Sequence, residues 1–231
     1  MKKLFALVIA LVLALSCTAA MAEEYNNDGV KFIYVDSPAN TDVALQTLAT
    51  DNTAAGKLAG ETLIAALTEA GVTEGKVGIV NVNPATVSTQ YRENGFRAAF
   101  EGTKFEILET VYGEGDAAKS QELATNFISQ EVVALFGTNE GGTVGVGNAI
   151  AAEGDDCAVL GVGFDKSDAI LNLVAAGDLV ATTAQNPYNM GYYGIKTAVE
   201  YLTNGTTEFE NVDTGVTMLT AQYIADNNLL G

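Results

Sequence analysis

The chain has 231 residues, with 29 acidic and 11 basic side chains and a formal net charge of −18. It contains no histidine, which excludes Ser-His-Asp and Cys-His catalysis and the usual zinc ligand sets. The acidic balance excludes nucleic acid and anionic lipid as favoured partners, because both carry the same sign of charge. We expect no metal or other cofactor.

The first 22 residues are predicted to be a secretory signal peptide, cleaved before Glu23. Lys2 and Lys3 provide a basic start, residues 4–15 are apolar, and residues 20–22 form a small-x-small cleavage site. The apolar run has 12 residues, whereas a membrane-spanning helix needs about 20. A second reading is a lipoprotein, because the segment that ends at Cys17 resembles a lipobox. In both readings the protein is expected to be exported to the periplasm or cell envelope.

From residue 30 onward, strands and helices are predicted to alternate. Strands are predicted over residues 31–35, 46–50, 76–81, 104–112, 132–137, 158–164, 179–185 and 211–219. Helices are predicted over residues 53–70, 88–101, 116–129, 141–152, 167–175, 187–202 and 220–226. This alternation is typical of an α/β protein with a Rossmann-like parallel sheet and helices on both faces.

Polar side chains follow several of these predicted strands. The apolar run before Asp165 predicts a buried strand, and ligands of open α/β sheets bind beyond the carboxyl ends of the strands. The residues in question are Asp36, Arg92 (early on the next helix), Asn139, Asp165 and Gln185. Sugar hydroxyls both donate and accept, so they need such a mixture of carboxylate, guanidinium and amide groups. Phe164 either stacks against an apolar sugar face or belongs to the core. Each of the five polar residues, taken alone, can also be explained as a helix cap or a turn residue.

Five short segments in one order resemble the periplasmic substrate-binding proteins of the ribose-binding type. They are Val35-Asp36-Ser37, Thr50-Asp51-Asn52-Thr53-Ala54-Ala55-Gly56, Arg92-Glu93-Asn94-Gly95-Phe96, Gly163-Phe164-Asp165 and Ala184-Gln185-Asn186-Pro187-Tyr188. The resemblance covers about residues 30–225. It implies a type I periplasmic-binding-protein fold, in which two Rossmann-like lobes hold a ligand in the cleft between them. It also implies sugar contacts at Asp36, Arg92, Asn139, Asp165 and Gln185.

The same resemblance implies the domain organisation and the partners. The N-terminal lobe would comprise residues 23–53 and 187–214, and the C-terminal lobe residues 54–186 and 215–231. The N-terminal lobe is expected to be truncated, because such proteins place roughly 60–90 further residues ahead of the matching segment. The expected ligand is a monosaccharide, a pentose or a hexose, delivered by a monomer to the membrane permease of an ABC importer. Gly115 stands where relatives often carry an aromatic residue, which leaves the ligand type open.

Alternative functions depend on weaker signals. Residues 113–118 match the G-x-G-x-x-A motif of dinucleotide enzymes, but the strand at 132–137 does not end in the ribose-binding acid. A secreted carbohydrate-active enzyme would use Asp36 and Asp165 as a carboxylate pair, although acidic residues are too abundant for one pair to be distinctive. Sugar-responsive repressors share the fold, but the chain shows no helix-turn-helix segment. A truncated non-binding remnant or a partner-dependent interaction protein is the main alternative, and we expect no enzymatic activity.

Overall fold

The computed structural model describes residues 29–39, 41–154 and 157–230, so the predicted signal peptide and Cys17 lie outside the described residues. The strands are β1 (Phe32–Val35), β2 (Ala44–Ala49), β3 (Glu74–Asn81), β4 (Lys104–Ile107), β5 (Val111–Tyr112), β6 (Val132–Gly137), β7 (Leu160–Phe164), β8 (Ala181–Gln185), β9 (Val212–Asp213) and β10 (Val216–Thr220). The helices are α1 (Asn52–Glu69), α2 (Val87–Ala99), α3 (Ala117–Ile128), α4 (Glu140–Glu153), α5 (Asp168–Ala176), α6 (Pro187–Asn204) and α7 (Ala221–Asp226). Within the described ranges, no helix combines the length and apolar character needed to cross a membrane.

The described residues divide into two compact units. Unit 1 contains residues 29–51 together with Asn186–Gly215, and unit 2 contains Asn52–Gln185 together with residues 216–230. The lobes expected from the sequence change at residues 53/54, 186/187 and 214/215, one or two positions away from these boundaries.

Unit 1 is built on a three-stranded parallel sheet in the order β1-β2-β9. Helix α6 packs against β1 and β2. Gly194 is buried in this interface, where a Cβ would lie 3.4 Å from Cγ2 of Val35, which is an ordinary van der Waals distance. The hydroxyl of Thr197 bonds the buried amide of Gln46, so this interface contains a paired polar contact.

Unit 2 is built on a sheet in the order β10-β8-β7-β6-β3-β4, with β5 also paired to β3. Its strands are parallel except β10, which is antiparallel to β8. Successive residues of a strand face opposite sides of the sheet. Accordingly, Leu135 of β6 belongs to one hydrophobic cluster and its neighbour Phe136 to the other. Helices therefore cover both faces, as the alternation of elements predicts.

Two long strands predicted from the sequence are interrupted. Residues 104–112 form two short strands, β4 and β5, and Arg97 bonds the Leu108 carbonyl between them at 3.2 Å. Residues 211–219 are divided between the units, because the chain turns at Gly215, where φ is 75°. The Asp213 carboxylate fixes this turn by accepting from the backbone N–H groups of Asp51 and Gly215. The prediction of single strands over 104–112 and 211–219 was therefore wrong.

Candidate functional site

Asp165 directly follows strand β7 and has a left-handed backbone conformation. Its φ is 75°, and its backbone N–H donates to the Thr183 carbonyl of β8 at 2.9 Å. The following helix, α5, is capped by Ser167, whose hydroxyl accepts from the N–H of Ile170. Asp165 is thus not the cap of that helix, and its carboxylate lies at the carboxyl edge of the sheet.

Three groups surround the Asp165 carboxylate. Its Oδ1 accepts from Gln185 Nε2 at 2.6 Å, and its Oδ2 accepts from the N–H of Glu140 at 3.0 Å. Nη1 of Arg92 lies 3.9 Å from Oδ2. Because Glu140 is the first residue of α4, the carboxylate also benefits from the positive end of that helix dipole. The side chain remains 24% exposed, so the carboxylate is oriented by the protein and still reachable from solvent.

Contacts with other groups of unit 2 hold the Arg92 guanidinium in place. Only 3% of the residue is exposed. Its Nε donates to Asn52 Oδ1 at 2.8 Å and its Nη1 to the Thr138 carbonyl at 3.0 Å. The guanidinium carbon lies 3.7 Å from the centre of the Phe164 ring, which is a cation–π contact.

Phe164 has no exposed surface and belongs to the hydrophobic core of unit 2. Of the two roles that the sequence left open, the structure shows the core role. Phe164 therefore supports the guanidinium of Arg92, and any influence on a ligand passes through that group.

Asn139 follows strand β6 and caps helix α4. Its Oδ1 accepts from the N–H of Gly142 at 3.0 Å, and the side chain is half-buried. The amide nitrogen Nδ2 lies near Gly115, 3.5 Å from where a Cβ at that position would be. With its oxygen engaged in the cap, Asn139 presents its amide as a donor group beside a glycine that leaves space.

Several residues behind the site were missed by sequence reasoning. The Thr138 hydroxyl donates to Asn81 Oδ1 at 2.8 Å, and Asn81 Nδ2 donates to Glu93 Oε2 at 2.7 Å. The hydroxyl of Thr143 accepts from the Phe164 N–H at 2.7 Å and is 2.9 Å from the Phe164 carbonyl. Asn81 and Thr138 stand at strand ends, so the rule that selected Asp165 would have found them too.

Asp36 lies in unit 1 and repeats the backbone arrangement of Asp165. It follows β1, its φ is also 75°, and its N–H donates to the Leu48 carbonyl of β2 at 2.9 Å.

Within unit 2 the structure brings Arg92, Phe164, Asp165 and Gln185 into contact, and Asn139 lies at the neighbouring strand end. Among the described residues, no group of three Cys, Asp or Glu side chains is arranged to hold a metal ion.

Comparison with known proteins identifies relatives of this chain. The chain is 29% identical over 179 residues to the ribose import binding protein RbsB of Haemophilus influenzae, covering 77% of this chain and 59% of that protein. It is 30% identical over 154 residues to the D-allose-binding periplasmic protein of Escherichia coli K12, covering 65% of this chain and 49% of that protein. The chain therefore spans between half and three fifths of the length of these curated relatives.

Solved structures show the same fold. An ABC transporter solute binding protein from Agrobacterium vitis with bound D-fucose is 27% identical, with a TM-score of 0.83 over 91% of this chain and 73% of that chain. A carbohydrate transporter solute binding protein from Agrobacterium radiobacter in complex with D-arabinose is 30% identical, with a TM-score of 0.83 over 92% of this chain and 74% of that chain. The model of the periplasmic binding protein domain matches residues 3–207. The chain therefore belongs to the periplasmic binding protein domain family and has the type I α/β fold of its sugar-binding members.

Proposed function

We propose that the protein binds a monosaccharide at the carboxyl edge of the unit 2 sheet. The observation that carries this proposal is the oriented Asp165 carboxylate, held by Gln185 and the Glu140 N–H beside the buried guanidinium of Arg92. A carboxylate oxygen has two acceptor positions, so each oxygen retains capacity for a sugar hydroxyl. The amides of Asn139 and Gln185 complete a set of donors and acceptors.

The charge balance of the cluster favours a neutral ligand. Asp165 and Arg92 offset one another, so neither an anion nor a cation gains a large net attraction. A polyhydroxylated ring instead gains charge-assisted hydrogen bonds to both groups. The names of the relatives include ribose, D-allose, D-fucose and D-arabinose, which supports a pentose or a hexose as the ligand.

A sugar contact by Asp36 is proposed on the sequence resemblance and supported by the strand-end conformation of this residue in unit 1.

We also propose that the protein is exported, through its first 22 residues or as a lipoprotein through Cys17. In this role it would deliver the sugar to the membrane permease of an ABC importer, as the names of the solved relatives suggest. It would act as a binding protein and not as an enzyme.

Calorimetric titration with D-ribose, D-allose, D-fucose and D-arabinose tests the proposal. We expect saturable binding of at least one sugar and a matching rise in the melting temperature. Substitution of Asp165 should weaken this binding. Asp168→Asn is the matched control for that substitution, because Asp168 is an exposed aspartate three residues from Asp165 and lies outside the cluster. No heat and no thermal shift with any of the sugars would instead favour a non-binding remnant or a protein that needs a partner. Release of products from glycoside substrates would favour the carbohydrate-active enzyme.

A further inference from the structure

The sequence contains two arginines, Arg92 and Arg97, and they stand at the two ends of one run of hydrogen bonds. Both lie on helix α2, and we call the run the α2 network. Its bonds connect, in order, Arg92, Thr138, Asn81, Glu93 and Arg97. Arg92 Nη1 donates to the Thr138 carbonyl at 3.0 Å, and Arg97 Nε donates to Glu93 Oε1 at 2.9 Å. The network therefore links the guanidinium beside Asp165 to groups that do not belong to the Asp165 cluster.

Asn81 stands at the centre of the α2 network, and its amide has one defined orientation. Its Oδ1 accepts from the Thr138 hydroxyl at 2.8 Å and from the Val82 N–H at 2.7 Å, and its Nδ2 donates to Glu93 Oε2 at 2.7 Å. A flipped amide would place Nδ2 against the Val82 N–H and Oδ1 against a carboxylate oxygen, so both neighbours exclude the flip. Asn81 is 2% exposed. Water therefore cannot readily replace a partner that is lost.

Glu93 ties helix α2 to the sheet of unit 2. Besides the bond from Asn81 of β3, its carboxylate accepts from Arg97 Nε and from the Thr110 hydroxyl, which lies 2.5 Å from Oε1. Thr110 lies between β4 and β5, so one carboxylate joins a helix, a strand and that connecting segment. The Glu93 side chain is 15% exposed, so these charge-assisted hydrogen bonds are formed largely out of water.

Arg92 and Glu93 together fix the orientation of α2. Consecutive residues of a helix point about 100° apart. Glu93 is bound to Asn81 of β3, whereas Arg92 is bound to Asn52 of α1 and to the Thr138 carbonyl after β6. The helix is thus held on two sides by polar contacts, and rotation about its own axis would break both.

We infer that Asn81 and Glu93 are positioning residues of the proposed sugar site, an inference that rests on the proposed function. They act through Thr138, whose hydroxyl is bound to Asn81 and whose carbonyl accepts from Arg92. Nη1 of Arg92 is also the atom that lies 3.9 Å from Asp165 Oδ2. Useful hydrogen bonds span only about 2.7–3.2 Å. A small displacement of the guanidinium therefore changes its fit to sugar hydroxyls.

Calorimetric titration of matched variants tests this inference, with whichever of D-ribose, D-allose, D-fucose and D-arabinose the original chain binds. Thr138→Val keeps the shape of threonine but removes the hydroxyl, whereas Thr138→Ser keeps the hydroxyl. At a temperature where every variant is fully folded, Thr138→Val and Glu93→Gln should each weaken sugar binding at least about threefold, because residues of one hydrogen-bond network are coupled. Thr138→Ser should bind within about twofold of the original chain.

Glu101→Gln is the control for the loss of charge, because Glu101 is exposed and lies outside the α2 network. It should bind as the original chain does. If Asp165→Asn weakens binding while Thr138→Val and Glu93→Gln do not, the inference is overturned and the proposed function stands. An original chain that binds none of the sugars would instead contradict the proposed function.

Nitrogen-15 NMR of the arginine side chains tests the positioning without any sugar. Because the sequence contains two arginines, Arg97→Lys is sufficient to assign the Arg92 signals. A guanidinium held by Asn52 and Thr138 rotates slowly and gives separate Nη signals, whereas a released one gives averaged signals. We expect separate Arg92 signals in the original chain and in Thr138→Ser, and faster rotation in Thr138→Val. Equal rotation rates in the original chain and Thr138→Val would overturn the inference, whether or not a sugar binds.

Discussion

Asp165 allows the proposed site to be tested with one substitution of nearly the same shape. Asp165→Asn removes the charge but keeps one oxygen, so only one of the two donors, Gln185 Nε2 and the Glu140 N–H, retains its acceptor. The other donor would face an amide NH₂. A sugar hydroxyl that donates to the carboxylate would lose its partner in the same way.

The expected magnitude follows from these contacts. A hydrogen bond to a charged group contributes about 1.5–3 kcal/mol, so losing one such bond to the ligand should weaken sugar binding roughly 10- to 150-fold. The fold should lose less, about 1–2 kcal/mol, because Asp165 is partly exposed and Arg92 keeps its bonds to Asn52 and Thr138.

Titration calorimetry and urea unfolding followed by circular dichroism measure the two effects separately. Asp165→Ala and Asp165→Gly should both abolish the carboxylate contacts. The glycine variant should be the more stable of the two by about 1 kcal/mol, because alanine at φ 75° is strained and glycine is not. Sugar affinity unchanged in Asp165→Asn would refute the assignment of Asp165 as a ligand-binding residue, and equal stability of the alanine and glycine variants would refute the argument from strain.

Two further substitutions test how the site is supported. Gly56→Ala should destabilise unit 2 by about 1–3 kcal/mol and reduce sugar affinity, because its Cβ would lie 1.9 Å from the Arg92 carbonyl oxygen. Gly191→Ala is the control. A Cβ at Gly191 has nothing within 4 Å, so this variant should raise the melting temperature slightly. Thr143→Val should cost about 1–3 kcal/mol, because it leaves the buried Phe164 N–H without an acceptor. Thermal melts measure the stability of both variants. A Gly56→Ala protein with the melting temperature and sugar affinity of the original chain would contradict the close contact between α1 and α2.

The sequence predicted the order and type of the elements well because local signals agreed with the tertiary fold. Asp116 caps α3 and Pro187 begins α6, as their residue types predict. Strand β7 was recognisable as a short apolar run, and it is indeed buried among neighbouring parallel strands. These features depend on residues close together in the chain.

What the sequence could not predict depends on contacts between distant residues. The break between β9 and β10 arises because β9 pairs with β2, more than 160 residues earlier, whereas β10 pairs with β8. The burial of Phe164 under Arg92 likewise brings together residues from β7 and α2. No local pattern distinguishes an aromatic ring that faces a sugar from one that supports an arginine.

The two strand-end aspartates share one backbone arrangement that bears on the proposed site. Asp36 and Asp165 both adopt φ 75° and both donate their N–H to the next parallel strand. Glycine would adopt this backbone conformation without strain, and a non-glycine residue there costs of order 1 kcal/mol. Because the turn itself does not need a side chain, the carboxylate is what aspartate adds at each position. For Asp165 that carboxylate is oriented by three groups while a quarter of it remains exposed, which is the arrangement expected of the hydroxyl-binding site that we propose.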